Sequence, residues 1–272
     1  MLTTRLLAGA MLLANFAWGQ SLPPIAQRVQ TEKMAAGVFV KHAVFSNETK
    51  EAYNRPDVAK ALHDGRLLNL ENSGLKALRA ANPDRLEFSL PMPEGDMLQL
   101  ELVRAKVFSP EFKVYLGSAP DVPVDVDLGL HYWGIVKDRP GTLVGIIVFV
   151  LEVMGIVNTE TERYVLGALE NDAEKTHVVY RERDLKLNNP FDCHTDLLEE
   201  VGDDTQVSDR AAGPDNCVRQ YMEADYTIFQ NKGSSSNAAS YLTGMYSQVS
   251  LLYANESVNV VLHHLLIWDV PD

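Results

Sequence analysis

The sequence predicts an α+β protein: a β-rich antiparallel region, then the opening of an α/β unit that runs strand, helix, strand. Three observations carry this. From Arg85 to Leu185, short runs of alternating apolar and polar residues recur at intervals of roughly ten residues, with Asn, Asp, Thr and Glu between them. From Ala238 onward the apolar period changes to steps of three and four, which is the spacing of one helix face. Between the two patterns, His194–Asn216 is acidic, carries Gly213-Pro214 and has almost no large apolar residue, as a solvated linker does.

The N-terminus reads as an export signal. Arg5 precedes an apolar core from Leu6 to Trp18, and Ala17-Trp18-Gly19 gives the small-x-small pattern before Gln20. About 13 apolar residues fall short of the roughly 20 that span a bilayer. The expected division is a signal over residues 1–19, a β-rich domain over 20–193, the linker over 194–216, and the α/β start over 217–272. The expected location is therefore secreted or periplasmic, with no membrane association after signal cleavage. A second apolar run, Thr142–Val157, is interrupted by Glu152 and rich in β-branched residues, so it reads as two buried strands. The chain has 272 residues and a net charge of −13, which argues against nucleic acid as a partner because phosphate binding needs clustered Lys and Arg.

Within the β-rich part, a polar lead-in with Pro23-Pro24 comes first, and Val38–Phe45 is a strand candidate. Pro56 and Gly65 bracket a short helix, and Arg66–Asp84 reads as strand then helix. Arg85–Met92 and Asp96–Phe108 alternate well. His131–Val150 reads as a hairpin turning at Asp138-Arg139-Pro140-Gly141. Three more short strands follow, so a meander is expected, curled or packed as a sandwich. At the C-terminus, Cys217–Phe229 reads as a strand and Asn231–Asn237 as turn and cap. Ala238, Tyr241, Leu242, Met245, Tyr246, Val249, Leu252 and Tyr253 share a helix face, and Val258–Trp268 reads as a strand buried on both faces. Two parallel strands cannot complete a sheet, so this unit is expected to lack partners.

The side chains offer no catalytic centre. No HExxH, nucleophile elbow, phosphate loop or GxGxxG occurs. His63, His131, His177 and His194 lack a second ligand at metal spacing, and the neighbours His263 and His264 are expected on opposite strand faces. Glu223 and Asp225, two apart on a strand, form either a carboxylate pair or a solvent-facing edge. Asn47-Glu48-Thr49 and Asn255-Glu256-Ser257 match the glycosylation sequon.

Glu223-Ala224-Asp225-Tyr226, Tyr253-Ala254-Asn255 and Ile267-Trp268-Asp269 resemble the opening of the catalytic domain in secreted bacterial metzincin zinc metallopeptidases of the reprolysin-like (adamalysin) type. Upstream, Gly129–Val136, Tyr164–Leu169 and Phe191–Asp196 resemble the propeptide before that domain. The resemblance implies a β-rich antiparallel propeptide-like domain followed by a truncated α/β (βαβ) start of a metzincin-type catalytic domain. It implies an N-terminal fragment of a zinc-dependent metalloendopeptidase precursor acting on proteins or peptides. It also implies inactivity for this chain, because the zinc helix HExxHxxGxxH is missing from it. Zinc is then a cofactor of the parent, and none is expected on this chain. The rival reading is an exported, non-enzymatic β-rich binding or inhibitor-like protein.

Cys193 and Cys217 are the two cysteines. An even pair in an exported chain suggests a disulfide closing a loop of about 25 residues, stabilising by roughly 3 kcal/mol. The resemblance leaves a second role open for Cys193, as a thiolate that blocks zinc in the zymogen.

Overall fold

The hairpin expected around residue 138 is the middle of a much larger sheet. In the computed structural model, which describes residues 22–35, 37–170, 172–186 and 217–271 (leaving aside the side chains of 47–49), ten strands form one sheet. In chain order these are β1 (Val40–His42), β2 (Phe45–Glu51), β3 (Arg66–Leu70), β4 (Arg85–Pro91), β5 (Met97–Arg104), β8 (Leu130–Val136), β9 (Arg139–Val148), β10 (Val153–Asn158), β11 (Arg163–Ala168) and β12 (His177–Arg181). Strands β8 to β12 are successive antiparallel neighbours, continued by β3 and β2 on one side and by β5, β4 and β1 on the other. β1 pairs with β4 in parallel, which makes the sheet mixed. The β8–β9 turn is tighter than the sequence predicts. Lys137 and Asp138 make it, with Asp138 left-handed at φ 59°, and Arg139 already begins β9.

Helices cover this sheet where their apolar positions demand it. α2 (Pro56–Ala61) starts on a proline, whose fixed φ suits a first turn. α3 (Asn72–Ala81) drives Leu75 and Leu78 into a core with Phe45, Leu68, Leu86, Phe88 and Tyr132. Where the sequence shows a polar lead-in, Pro24–Met34 forms α1. Its Ala26 and Val29 pack on Val103 and Ile135, and Lys33 reaches the buried Glu101 at 2.6 Å.

The fold class expected from sequence is overturned. The protein is mostly β, with the large curled mixed sheet joined by a smaller one, and the described residues show no clear metzincin-type βαβ layout. β13 (Cys217–Ala224) and β14 (Asn259–Ile267) pair in parallel. They are not short of partners, because β14 also pairs in parallel with β6 (Phe108–Leu116), and β6 with β7 (Ala119–Val124). The order is β13-β14-β6-β7, so mid-chain strands complete the sheet. The physical reason is that the apolar pattern of a strand records which of its faces is buried, and not which strand lies beside it.

Two further local expectations change. β13 ends at Ala224, and Tyr226–Lys232 is a helix, α4, rather than strand. β14 buries one face only, through Val260, Leu262, Leu265 and Ile267. The long helix α5 (Ser235–Asn255) lies between the two sheets. Ser234 caps it by accepting from the Asn237 amide, and Leu251, Leu242 and Tyr246 join Trp133, Leu262, Leu265 and Ile267 in a second core. α5 comes close to the large sheet at glycines: a Cβ on Gly145 would stand 3.0 Å from Leu251, and one on Gly244 only 2.2 Å from Met154 Sδ.

Candidate functional site

Two of the three segments that carry the resemblance, Glu223–Tyr226 and Ile267–Asp269, come together at one end of the small sheet, whereas Tyr253–Asn255 ends α5 just before β14 begins. Glu223 stands opposite Leu266, and Ala224 opposite Ile267, at the carboxyl ends of β13 and β14. The Trp268 amide donates to the Ala224 carbonyl at 2.9 Å, and the Trp268 indole N–H donates to Glu223 Oε1 at 2.5 Å. Tyr221 donates its hydroxyl to Glu223 Oε2 at 3.0 Å. Asp269 accepts from both the amide and the hydroxyl of Ser118, at 2.8 and 2.6 Å, and these bonds hold its carboxyl below the usual range. Gly117 is required beneath Trp268, since a Cβ there would lie 2.5 Å from the indole.

Glu223 and Asp225 do not form a carboxylate pair. Asp225 is the N-cap of α4, accepting from the Ile228 amide at 3.0 Å, and each oxygen of Glu223 accepts one hydrogen bond, from Tyr221 and from Trp268. Such a corner fixes a chain direction and offers no free base.

The histidine pair departs from expectation for a geometric reason. The ladder passes from Gln220–Leu262 to Tyr221–His264, so His263 is an extra residue in β14. Leu262 and Leu265 both face the core across this bulge, which puts His263 and His264 on the same outer side. They still do not converge. His263 Nδ1 meets the Ser109 hydroxyl at 2.8 Å. His264 lies between Tyr115 and Tyr221, with ring centres 4.4 and 5.0 Å away, and partial burial lowers its pKa.

A concavity of about 520 Å³ opens where α4 and α5 meet β10, β11 and the segment after β11. Glu152, Met154, Glu170, Lys175, Lys232 and Tyr241 are among the residues that line it. Lys232 pairs with Glu170 and sits 3.9 Å over the Tyr241 ring. Burial raises the pKa of Glu152, while Lys175 and Lys232 act against the rise. The sequence signal for this cleft was the single acid inside the apolar run at 142–157, which reads as an interruption rather than as a wall of a site.

Among the described residues no three His, Cys, Asp or Glu side chains come together as metal ligands. Cys193 lies outside the described residues, and Cys217 stands exposed at the start of β13, so the disulfide and the blocking-thiolate roles both stay open. The expected linker 194–216 and the signal 1–19 also lie outside them. No described helix is long and apolar enough to cross a membrane. Asn255 closes α5 with its side-chain oxygen buried, whereas the Asn47 side chain lies outside the described set.

No protein-family model matches the chain, and no curated protein does.

Proposed function

We propose that this chain is the N-terminal part of the precursor of a secreted zinc-dependent metalloendopeptidase, inactive by itself. The parent would hydrolyse peptide bonds in proteins or peptides, with zinc held by residues outside this chain. One observation supports it above the others. The segments Glu223–Tyr226 and Ile267–Asp269, far apart in sequence, meet at the carboxyl end of two parallel strands through the Glu223–Trp268 and Ala224–Trp268 bonds. Open sheets with parallel strands build their sites at that end.

The experiment is to read the locus beyond the codon for Asp272. An in-frame HExxHxxGxxH supports the proposal. A stop codon with no such motif in any frame removes it.

A second reading, a stand-alone exported binding protein, has one observation behind it: β14 already finds a partner in β6. Limited proteolysis separates the two readings. A segment from β13 to β14 protected as strongly as β8–β9 favours the binding protein, and rapid trimming of that segment favours the precursor.

A further inference from the structure

Each sheet has two outer strands, and they are not equally protected. β7 carries Pro120 and Pro123, which cannot donate to a ladder. β1 has three residues, and β2 loses its register to β3 between Phe45 and Thr49. β13 differs from all three. It is eight residues long, contains neither Pro nor Gly, and the bulge beside it belongs to β14. Its outer edge has no strand partner among the described residues. Val218 and Tyr221 are 51% and 55% exposed along it. A long, partly apolar edge with no strand beside it is a template for another strand.

The sequence of β13 specifies which strand. Arg219, Tyr221 and Glu223 alternate onto one face. A second copy of β13, laid antiparallel with Tyr221 opposite Tyr221, places Arg219 of each copy opposite Glu223 of the other. Val218 then faces Ala224, and Gln220 faces Met222. Centring the pair on Arg219 or on Glu223 sets like charges against each other, and so does an in-register parallel pairing. Opposite charges across a ladder stabilise it and like charges disfavour it. The existing partner of Arg219 is Glu111 at 3.8 Å, with both side chains more than half exposed, and a pair of that kind contributes little.

We propose that β13 is a self-association edge: two copies of this chain pair antiparallel about Tyr221, joining two four-stranded sheets into one of eight. The contact is isologous, so it closes at a dimer. It is independent of the peptidase reading, which a monomeric chain would leave standing.

The test is the molar mass of the purified full chain by light scattering, followed by register-specific crosslinking. The wild type is expected at twice its 30.2 kDa chain mass. Arg219→Glu and Glu223→Arg are each expected to weaken the dimer at least tenfold, and the double exchange to restore it. In a Cys193→Ser, Cys217→Ser background, Tyr221→Cys is expected to crosslink on oxidation, since directly opposed Cα atoms lie about 5 Å apart. Arg219→Cys should not crosslink, because its two copies would be offset by about 13 Å along the strands. A monomeric wild type, single charge reversals without effect, or equal crosslinking at both positions would each overturn the proposal. A far-ultraviolet spectrum like that of the wild type shows that a variant has folded.

Discussion

Two buried histidines make the fold sensitive to acid. His177 accepts the Val153 amide on Nε2 at 2.9 Å and donates from Nδ1 to the Lys175 carbonyl at 2.8 Å, so it is held neutral. Protonating Nε2 would cost that bond as well as burying a charge, and burial brings its pKa down to about 4. His131, donating to the Leu128 carbonyl between Phe108 and Phe149, is also lowered by burial to about 4. The unfolded chain takes up these protons near pH 6.5 and the folded chain only near 4. Stability is therefore complete above about pH 6.5 and falls as the pH drops toward 4, by up to about 3 kcal/mol per histidine. A thermal midpoint measured between pH 7.5 and 4.5 should fall steadily, and a flat profile would contradict the assignment. Asp127 is the second sensitive point. It accepts from Arg79 at 2.8 Å, from the Gly129 amide at 3.2 Å and from the Val150 amide at 2.7 Å. Asp127→Ala should cost about 2 kcal/mol, read from a denaturant midpoint. Neither role is legible in the sequence, where His131, His177 and Asp127 look like ordinary polar residues in or beside strands.

Helix α5 shows what an element's own residues reveal and what they withhold. The three-and-four spacing of Ala238, Leu242, Tyr246 and Val249 marks a helix, and the structure has one over Ser235–Asn255. The same spacing could not say that Val249 is exposed while Leu251 is fully buried, because that depends on a second sheet lying across the helix. Leu251→Ala should destabilise the protein by about 3 kcal/mol and release α5 to protease before β8–β9 opens. Gly117→Ala should push Trp268 off its seat, shifting indole emission toward longer wavelength, while an unchanged spectrum would mean that the corner is looser than described. α1 was hidden for the opposite reason. Its few buried positions, Ile25, Ala26 and Val29, are too sparse for a periodic signal against neighbouring glutamines and charges. The bulge at His263 was hidden too, since an extra residue is visible only against a partner strand.

The pairing of β14 with β6 decides the architecture. Phe108 and Leu262 are far apart in sequence, and nothing local to either selects the other. The alternating runs of β8 to β12 were legible because consecutive strands pair with each other, so turn and pattern agree. The small sheet was not, and an expected separate α/β unit became two strands attached to a mostly β protein. The candidate corner was legible in its residues, Glu223, Asp225, Trp268 and Asp269, but not in its bonds. The expected carboxylate pair dissolved into a cap and an indole acceptor. On the proposed reading, these residues open a zinc peptidase completed elsewhere in the parent. The most direct measurement is hydrolysis of a quenched protein substrate by the product of the entire locus, with and without a zinc chelator. Chelator-sensitive cleavage, absent from residues 20–272 alone, is the predicted result; a full product that cleaves nothing, or cleaves equally in chelator, would contradict it.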